Sequence, residues 1–221
     1  MSYYVVVDLE MCRVPRSCKK RYRYNQETIQ IGATLMNEEY EVIDTFNTFV
    51  KPEFGYLDGF IKKLTGITDV DLWDAPRLET ALERFMAWLP ENEEVTAVSW
   101  SNSDKFQFIH EIGAKGLKAG SRFEKMLETW IDCQPEFSEK MKMKKCYSLE
   151  EALIATDICT DGRAHNGLDD AYNTALLYAK MRREDKLVLN PYYERAHDDS
   201  KPERLCYGLG DILMAAGFIT E

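Results

Sequence analysis

"VVVDLEMC", residues 5–12, runs three valines straight into Asp8, Leu9 and Glu10. With Tyr3 and Tyr4 ahead of them, these β-branched and aromatic residues predict a short buried strand over residues 3–10. Side chains alternate along a strand, so Asp8 and Glu10 share one face, roughly 6.5 to 7 Å apart along the backbone. Two like charges so close are stable when solvated, when one is protonated, or when a cation lies between them. A wet strand end and a metal-holding strand end are both compatible with these eight residues alone.

Two further β-like runs follow, "ETIQIGATLMN" (27–37) and "EVIDTFNTFV" (41–50), joined by the polar turn "NEEYE", which predicts a three-strand meander. In "RLETALERFMAWL", Leu78, Leu82, Phe85 and Leu89 fall on one helical face. "VTAVSW" (95–100) reads as a fourth strand, and after "SNSD" a helix is expected with Phe106, Ile109 and Ile112 on one side. "TWID" (129–132) supplies a last short strand. "SLEE" (148–151) has the Ser-x-x-Glu of a capping box and predicts a helix start. "GLDDAYNTALLYAKM" (167–181) carries an apolar stripe of Leu168, Ala171, Ala175, Leu176 and Ala179. Three strands, helix, strand, helix, strand, helix is an α/β order with a mixed five-stranded sheet flanked by helices.

The 221 residues suffice for one substantial domain. No apolar run is long enough to span a bilayer, and the first hydrophobic stretch reaches acids by residue 8, unlike a secretory signal. A cytoplasmic protein without a membrane partner is expected. Cys12, Cys18, Cys133, Cys146, Cys159 and Cys206 are scattered, form no C-x-x-C or zinc-site spacing, and read as reduced thiols. A formal net charge of −10 argues against broad adhesion to nucleic acid.

Other acids stand where strands end. Asp104 follows the fourth strand, where it could equally cap a helix, and Asp170 lies in the first turn of the last long helix, where it could equally complement the dipole. Oxygen ligands converging from separate elements would suit Mg²⁺ or Mn²⁺. His165, five residues before Asp170, is either a surface loop histidine or a base near neutrality within reach of the same cluster.

At these residues the chain resembles the DEDDh family of 3′-to-5′ exonucleases, which have a ribonuclease H-like fold. The likeness rests on Asp8 and Glu10 in "DLE", Asp104 in "SWSNSD", and His165 and Asp170 in "HNGLDDA", with "QIGA" and "LTGIT" in support. "WIDCQPEFS", "YSLEEAL" and "GLDDAYNTALL" are closest to the Eri-type branch and to bacterial inhibitor-of-sporulation (KapD-like) relatives. The resemblance covers about residues 3–182, which sets an expected exonuclease domain of 1–182. Residues 183–221 are then a C-terminal extension, with Tyr207, Leu209, Ile212, Leu213, Phe218 and Ile219 packing on the domain or on a partner subunit.

The resemblance implies that Asp8, Glu10, Asp104 and Asp170 hold two Mg²⁺ or Mn²⁺ ions and that His165 is the general base. His165 and the four acids are thus the expected catalytic set. The expected reaction releases nucleoside 5′-monophosphates from the 3′ ends of single-stranded RNA or DNA, RNA preferred. Where the family carries small or hydroxyl residues after the glutamate, this chain has Met11 and Cys12, and Met11 is expected to pack on the terminal base. Residues 12–24, "CRVPRSCKKRYRY", hold six cations and no acid. They read as a substrate-binding loop, through Arg13, Lys19, Lys20, Arg21 and Tyr22, or as an ordinary solvated loop. "EKMKMKKC" (139–146) is a second basic stretch or a charged helix face. A DNA exonuclease of the repair or proofreading type and a non-catalytic RNA-binding protein on the same fold are the alternatives. With no added RNA-binding domain evident, specificity would come from substrate structure or from a protein partner.

Overall fold

The computed structural model describes residues 2–18, 20–142, 145–160 and 162–196. Five strands, β1 (Ser2–Arg13), β2 (Gln26–Met36), β3 (Val42–Phe49), β4 (Glu94–Ser99) and β5 (Ile131–Asp132), form one sheet in the order β3-β2-β1-β4-β5. β1–β2 and β2–β3 pair antiparallel, as the predicted meander requires, while β4 and β5 add in parallel. The mixed five-stranded α/β sheet expected from the sequence is present. Nine α-helices flank it among the described residues: α1 (Gly59–Thr65), α2 (Asp69–Trp73), α3 (Leu78–Trp88), α4 (Ser103–Lys115), α5 (Ser121–Glu128), α6 (Cys133–Lys140), α7 (Leu149–Ala155), α8 (Gly167–Arg183) and α9 (Pro191–Ala196).

The alternation of β1 divides the core. Val5, Val7 and Leu9 face a layer built with Leu78, Leu82 and Phe85 of α3, Phe108 of α4 and Phe123 of α5. Val6 faces the opposite layer, with Phe137 of α6, Leu153 of α7, and Ala175, Leu177 and Tyr178 of α8. By the two-residue period, Asp8 and Glu10 belong to the α8 side. Helix α7 starts as its capping box predicts, Ser148 Oγ accepting from the Glu151 N–H. Leu187 is buried in the α8 layer and Tyr193 packs on it, so the chain beyond α8 continues on the domain as far as α9. The apolar tail from Tyr207 to Ile219 lies outside the described residues.

Two expectations about helix faces are corrected. In α8 Leu177 is buried and Leu176 only half-buried. In α4 Phe106 and Ile109 are exposed, and the buried face is Asp104, Gln107, Phe108 and Glu111. The reason is a polar interior. Lys115 Nζ lies 2.8 Å from Glu27 and 2.9 Å from Glu111, all three side chains being withdrawn from water. Glu111 also accepts from the Thr28 N–H at 2.8 Å. A buried set of paired and hydrogen-bonded charges replaces the hydrophobic stripe that periodicity alone anticipates.

One close approach in the fold is between backbones. A Cβ on Gly32 of β2 would lie 2.0 Å from the Gly167 carbonyl carbon, and one on Gly167 would lie 3.0 Å from the Asp8 carbonyl oxygen. Only residues without a Cβ let the start of α8 sit directly on β1 and β2. Gln30 reinforces the contact by accepting from the Gly167 N–H at 3.1 Å. Backbone cannot yield as a flexible side chain can, so Gly32→Ala is expected to cost at least about 3 kcal/mol, roughly 6 °C or more in midpoint. Gly59→Ala, where an added Cβ meets nothing within 4 Å, should leave the midpoint unchanged or slightly raised. Urea or thermal unfolding checks this, and an unperturbed Gly32→Ala would refute the tight contact.

Candidate active site

The parallel pairing of β1 with β4 ends at Val6–Val98, where the sheet opens. Past that point the Leu9 N–H has no β4 partner, and Asp104 Oδ1 accepts it at 3.0 Å. Asp104, in the first turn of α4, is thereby fixed beside the β1 carboxylates, and Ser103 Oγ donates to its other oxygen at 3.3 Å. From the opposite side the Gly32–Gly167 contact sets down the first turn of α8, which carries Asp170. Asn166 caps that helix, accepting from the Leu168 N–H at 3.1 Å. The adjacent acid turns away, since Asp169 accepts from the Arg163 N–H at 2.8 Å. Geometry therefore selects Asp170 over Asp169 for the cavity.

Asp8, Glu10, Asp104, His165 and Asp170 all line one open cavity of about 420 Å³. Glu10, His165 and Asp170 each present a ligand atom within 4.8 Å of the others, an arrangement that could hold a metal ion. His165 is exposed at the rim with a left-handed backbone (φ 61°), and its N–H donates to Asp170 Oδ2 at 2.8 Å. This bond ties the loop before α8 to the acid on its first turn.

The electrostatics are unbalanced. Burial, followed by the charges of Asp104, Asp170 and Glu10, pushes Asp8 well above the usual carboxylate range. Glu10, 8% exposed, is pushed up to about 8 by burial and then by Asp170 and Asp104. Burial raises Asp104 to about 7 against the opposing Leu9 N–H bond, and it also raises Asp170 against the His165 N–H bond. Among the described residues no lysine or arginine forms an ion pair with any of the four. A hard divalent cation is the species that such a donor set fits.

The remaining predicted residues are placed less uniformly. Met11 is half-buried and lines the cavity. Arg13, Lys20 and Arg21 are exposed but do not line it, and Lys19 lies outside the described residues. Tyr22 is a correction: it is 0% exposed, its ring stacks on Phe54 at 5.2 Å, and its hydroxyl donates to the Gln26 carbonyl at 2.8 Å. It anchors the loop and cannot stack on a base. Tyr24, Gln26, Phe106 and Gln107 line the cavity in its place. Tyr22 and Tyr24 stand two residues apart outside any strand, so their spacing carries no signal that separates the buried ring from the exposed one.

Raised carboxyl pKa values fix the sign of a pH effect. In the metal-free protein the folded state binds more protons than the unfolded chain between about pH 4 and 8, so these groups lower stability as pH rises through that window. Metal-free Glu10→Gln is expected to exceed wild type in thermal midpoint at pH 8 by several degrees, with the advantage fading toward pH 5. A midpoint below wild type at pH 8 would contradict the electrostatic reading of the site.

Comparison with known proteins agrees with this geometry. Residues 5–178 match the RNase_T exonuclease family model. ERI1 exoribonuclease 2 of Danio rerio is 28% identical over 94% of this chain and 40% of its own length. The 3′-5′ exonuclease Snipper of Drosophila melanogaster is 26% identical over 87% of this chain and 75% of its own length. The chain spans 28 to 40% of the length of the ERI1 exoribonuclease 2 relatives it matches. Among solved structures, the nuclease domain of the DEDDh family member 3′hExo bound to rAMP superposes with a TM-score of 0.71 at 23% identity, covering 85% of this chain and 96% of that one. The match along most of its length places the chain in the RNase_T exonuclease family.

Proposed function

We propose that this protein is a metal-dependent 3′-to-5′ exonuclease acting on single-stranded nucleic acid, RNA preferred, and releasing nucleoside 5′-monophosphates. The observation that carries the reading is the convergence of Asp8, Glu10, Asp104 and Asp170 with an exposed His165 around one open cavity. The four carboxylates would hold two Mg²⁺ or Mn²⁺ ions. Bound there, the ions would offset the acids and favour both the attacking and the leaving oxygen of an in-line displacement. The chain's own chemistry falls to His165. At the rim it can take the proton of a water whose oxygen attacks the terminal phosphorus, while the bond to the preceding 3′-oxygen breaks and leaves a new 3′ end. The Asp170 bond to its N–H holds the imidazole's backbone in place for that transfer. Met11 at the cavity wall offers an apolar surface to the terminal base.

Two features support RNA as the preferred substrate. The ERI1 relatives are named exoribonucleases, and the 3′hExo structure holds rAMP, a ribonucleoside monophosphate of the kind this reaction would release. The domain of residues 1–182 would carry the activity, and the extension beyond it would serve packing.

The test is a pair of 5′-labelled single strands, RNA and DNA of one sequence, incubated with Mg²⁺, Mn²⁺ or EDTA. The expected result is a ladder shortening from the 3′ end, stronger on RNA and absent in EDTA and in Asp8→Ala. His165→Ala should lose about 10² to 10⁴ in kcat. Intact strands with either metal and a folded protein would favour the non-catalytic binder, and a ladder on DNA alone would favour the DNA exonuclease.

A further inference from the structure

The face that α4 turns to solvent is unusual for its neighbourhood. Phe106 is 50% exposed and Ile109 39% exposed, and both stand on the helix whose first turn supplies Asp104. One turn beyond Phe106, the exposed His110 ring lies 6.3 Å from it between centroids. On its other side His110 stacks with Tyr24 at 5.0 Å and an interplanar angle of 30°. Three rings from two segments thus form one row. It is continuous with the cavity, because Phe106 and Tyr24 are among the residues that line it. Helical rise sets His110 about 9 Å along the axis from Asp104, room for two to three nucleotides at a stacked spacing of about 3.4 Å.

The surroundings identify the occupant. Tyr24 ends a cationic segment in which Lys20, Arg21 and Arg23 are exposed. Arg21 lines a hollow with Ala114, Lys115 and Leu117 at the far end of α4, so the segment lies along the helix. Buried Tyr22 pins it there. Among the described residues none of Lys20, Arg21 and Arg23 is engaged in an ion pair. Unpaired cations beside a row of rings suit a chain of phosphates carrying flat apolar groups, and a protein of net charge −10 has few other places for one.

We infer that Phe106, His110 and Tyr24 form a stacking track for the nucleotides that precede the reacting one, with the Lys20–Arg23 segment holding their phosphates. The inference rests on the exonuclease reading but adds a second binding site outside the carboxylates. The track fixes no base identity, since every base has a π-face, and its contribution grows with the length of single strand it covers.

Anisotropy of 5′-fluorescein RNA and DNA strands of three and twelve nucleotides, titrated with the full chain in EDTA, tests the track apart from catalysis. For Phe106→Ala/His110→Ala the 12-mer is expected to bind about tenfold more weakly, while the 3-mer changes far less. Phe106→Tyr/His110→Tyr, which keeps two rings, should restore most of the affinity for the 12-mer. Both pairs replace exposed side chains, and matching thermal midpoints would verify that they fold. A 12-mer held by the alanine pair as tightly as by wild type overturns the track and assigns the exposed face to a protein partner. Wild-type degradation from the 3′ end alongside that result leaves the exonuclease reading intact. Loss of 12-mer affinity in the alanine pair, in a protein whose wild type degrades nothing, supports the track and removes the exonuclease reading.

Discussion

The contact of Gly32 with Gly167 is the constraint on which the site depends. Two side-chain-free residues let the backbone of α8 rest on β1 and β2, and the helix arrives with Asp170 three residues inside it. Gln30 and Asn166 then fix its angle through the Gly167 and Leu168 N–H groups. A single methyl group on Gly32 would lie 2.0 Å from the Gly167 carbonyl carbon, so the helix and the Asp170 it carries would have to shift. The geometry of the site is set by backbone packing, to which Asp104 and Asp170 add single bonds from the Leu9 and His165 N–H groups.

Helix α4 shows the same economy from the other side. Its interior carries two kinds of buried charge, treated in opposite ways. Glu27 and Glu111 share Lys115, and further hydrogen bonds come to them from Thr28, Gln107 and the Glu53–Gly55 backbone. Asp104, one to two turns away, shares its space with three other carboxylates and has only N–H and O–H donors. One cluster is bridged by a lysine of the chain and holds α4 to β2; the other has no cationic side chain among the described residues. That contrast separates a structural ion cluster from a reactive one within a single helix.

Much of this was legible in the residues. The period of two in "VVVDLE" places Asp8 and Glu10 on one face, and the meander of the first three strands follows from the apolar runs and the polar turn between them. Asp104 and Asp170 were legible as acids at strand and helix ends. What escaped were features set by pairing across the chain. The α4 face was misread because Phe106 and Ile109 outscore Gln107 and Glu111 in hydrophobicity, and nothing local announces that Lys115 and Glu27 will meet them. Tyr22 looks like Tyr24 in the sequence because only the fold decides which of the two rings meets Phe54 inside and which meets His110 outside. The short helices α1, α2, α5 and α6 lacked a periodic stripe long enough to see.

If backbone packing builds one cation-binding centre from β1, α4 and α8, a bound manganese ion will locate it. Anomalous diffraction at the manganese edge, from crystals of the full chain grown with Mn²⁺, addresses it most directly. Anomalous peaks bounded by Asp8, Glu10, Asp104 and Asp170 are expected, and their loss in Asp170→Asn. Manganese bound elsewhere, with these four carboxylates coordinating nothing, would contradict it.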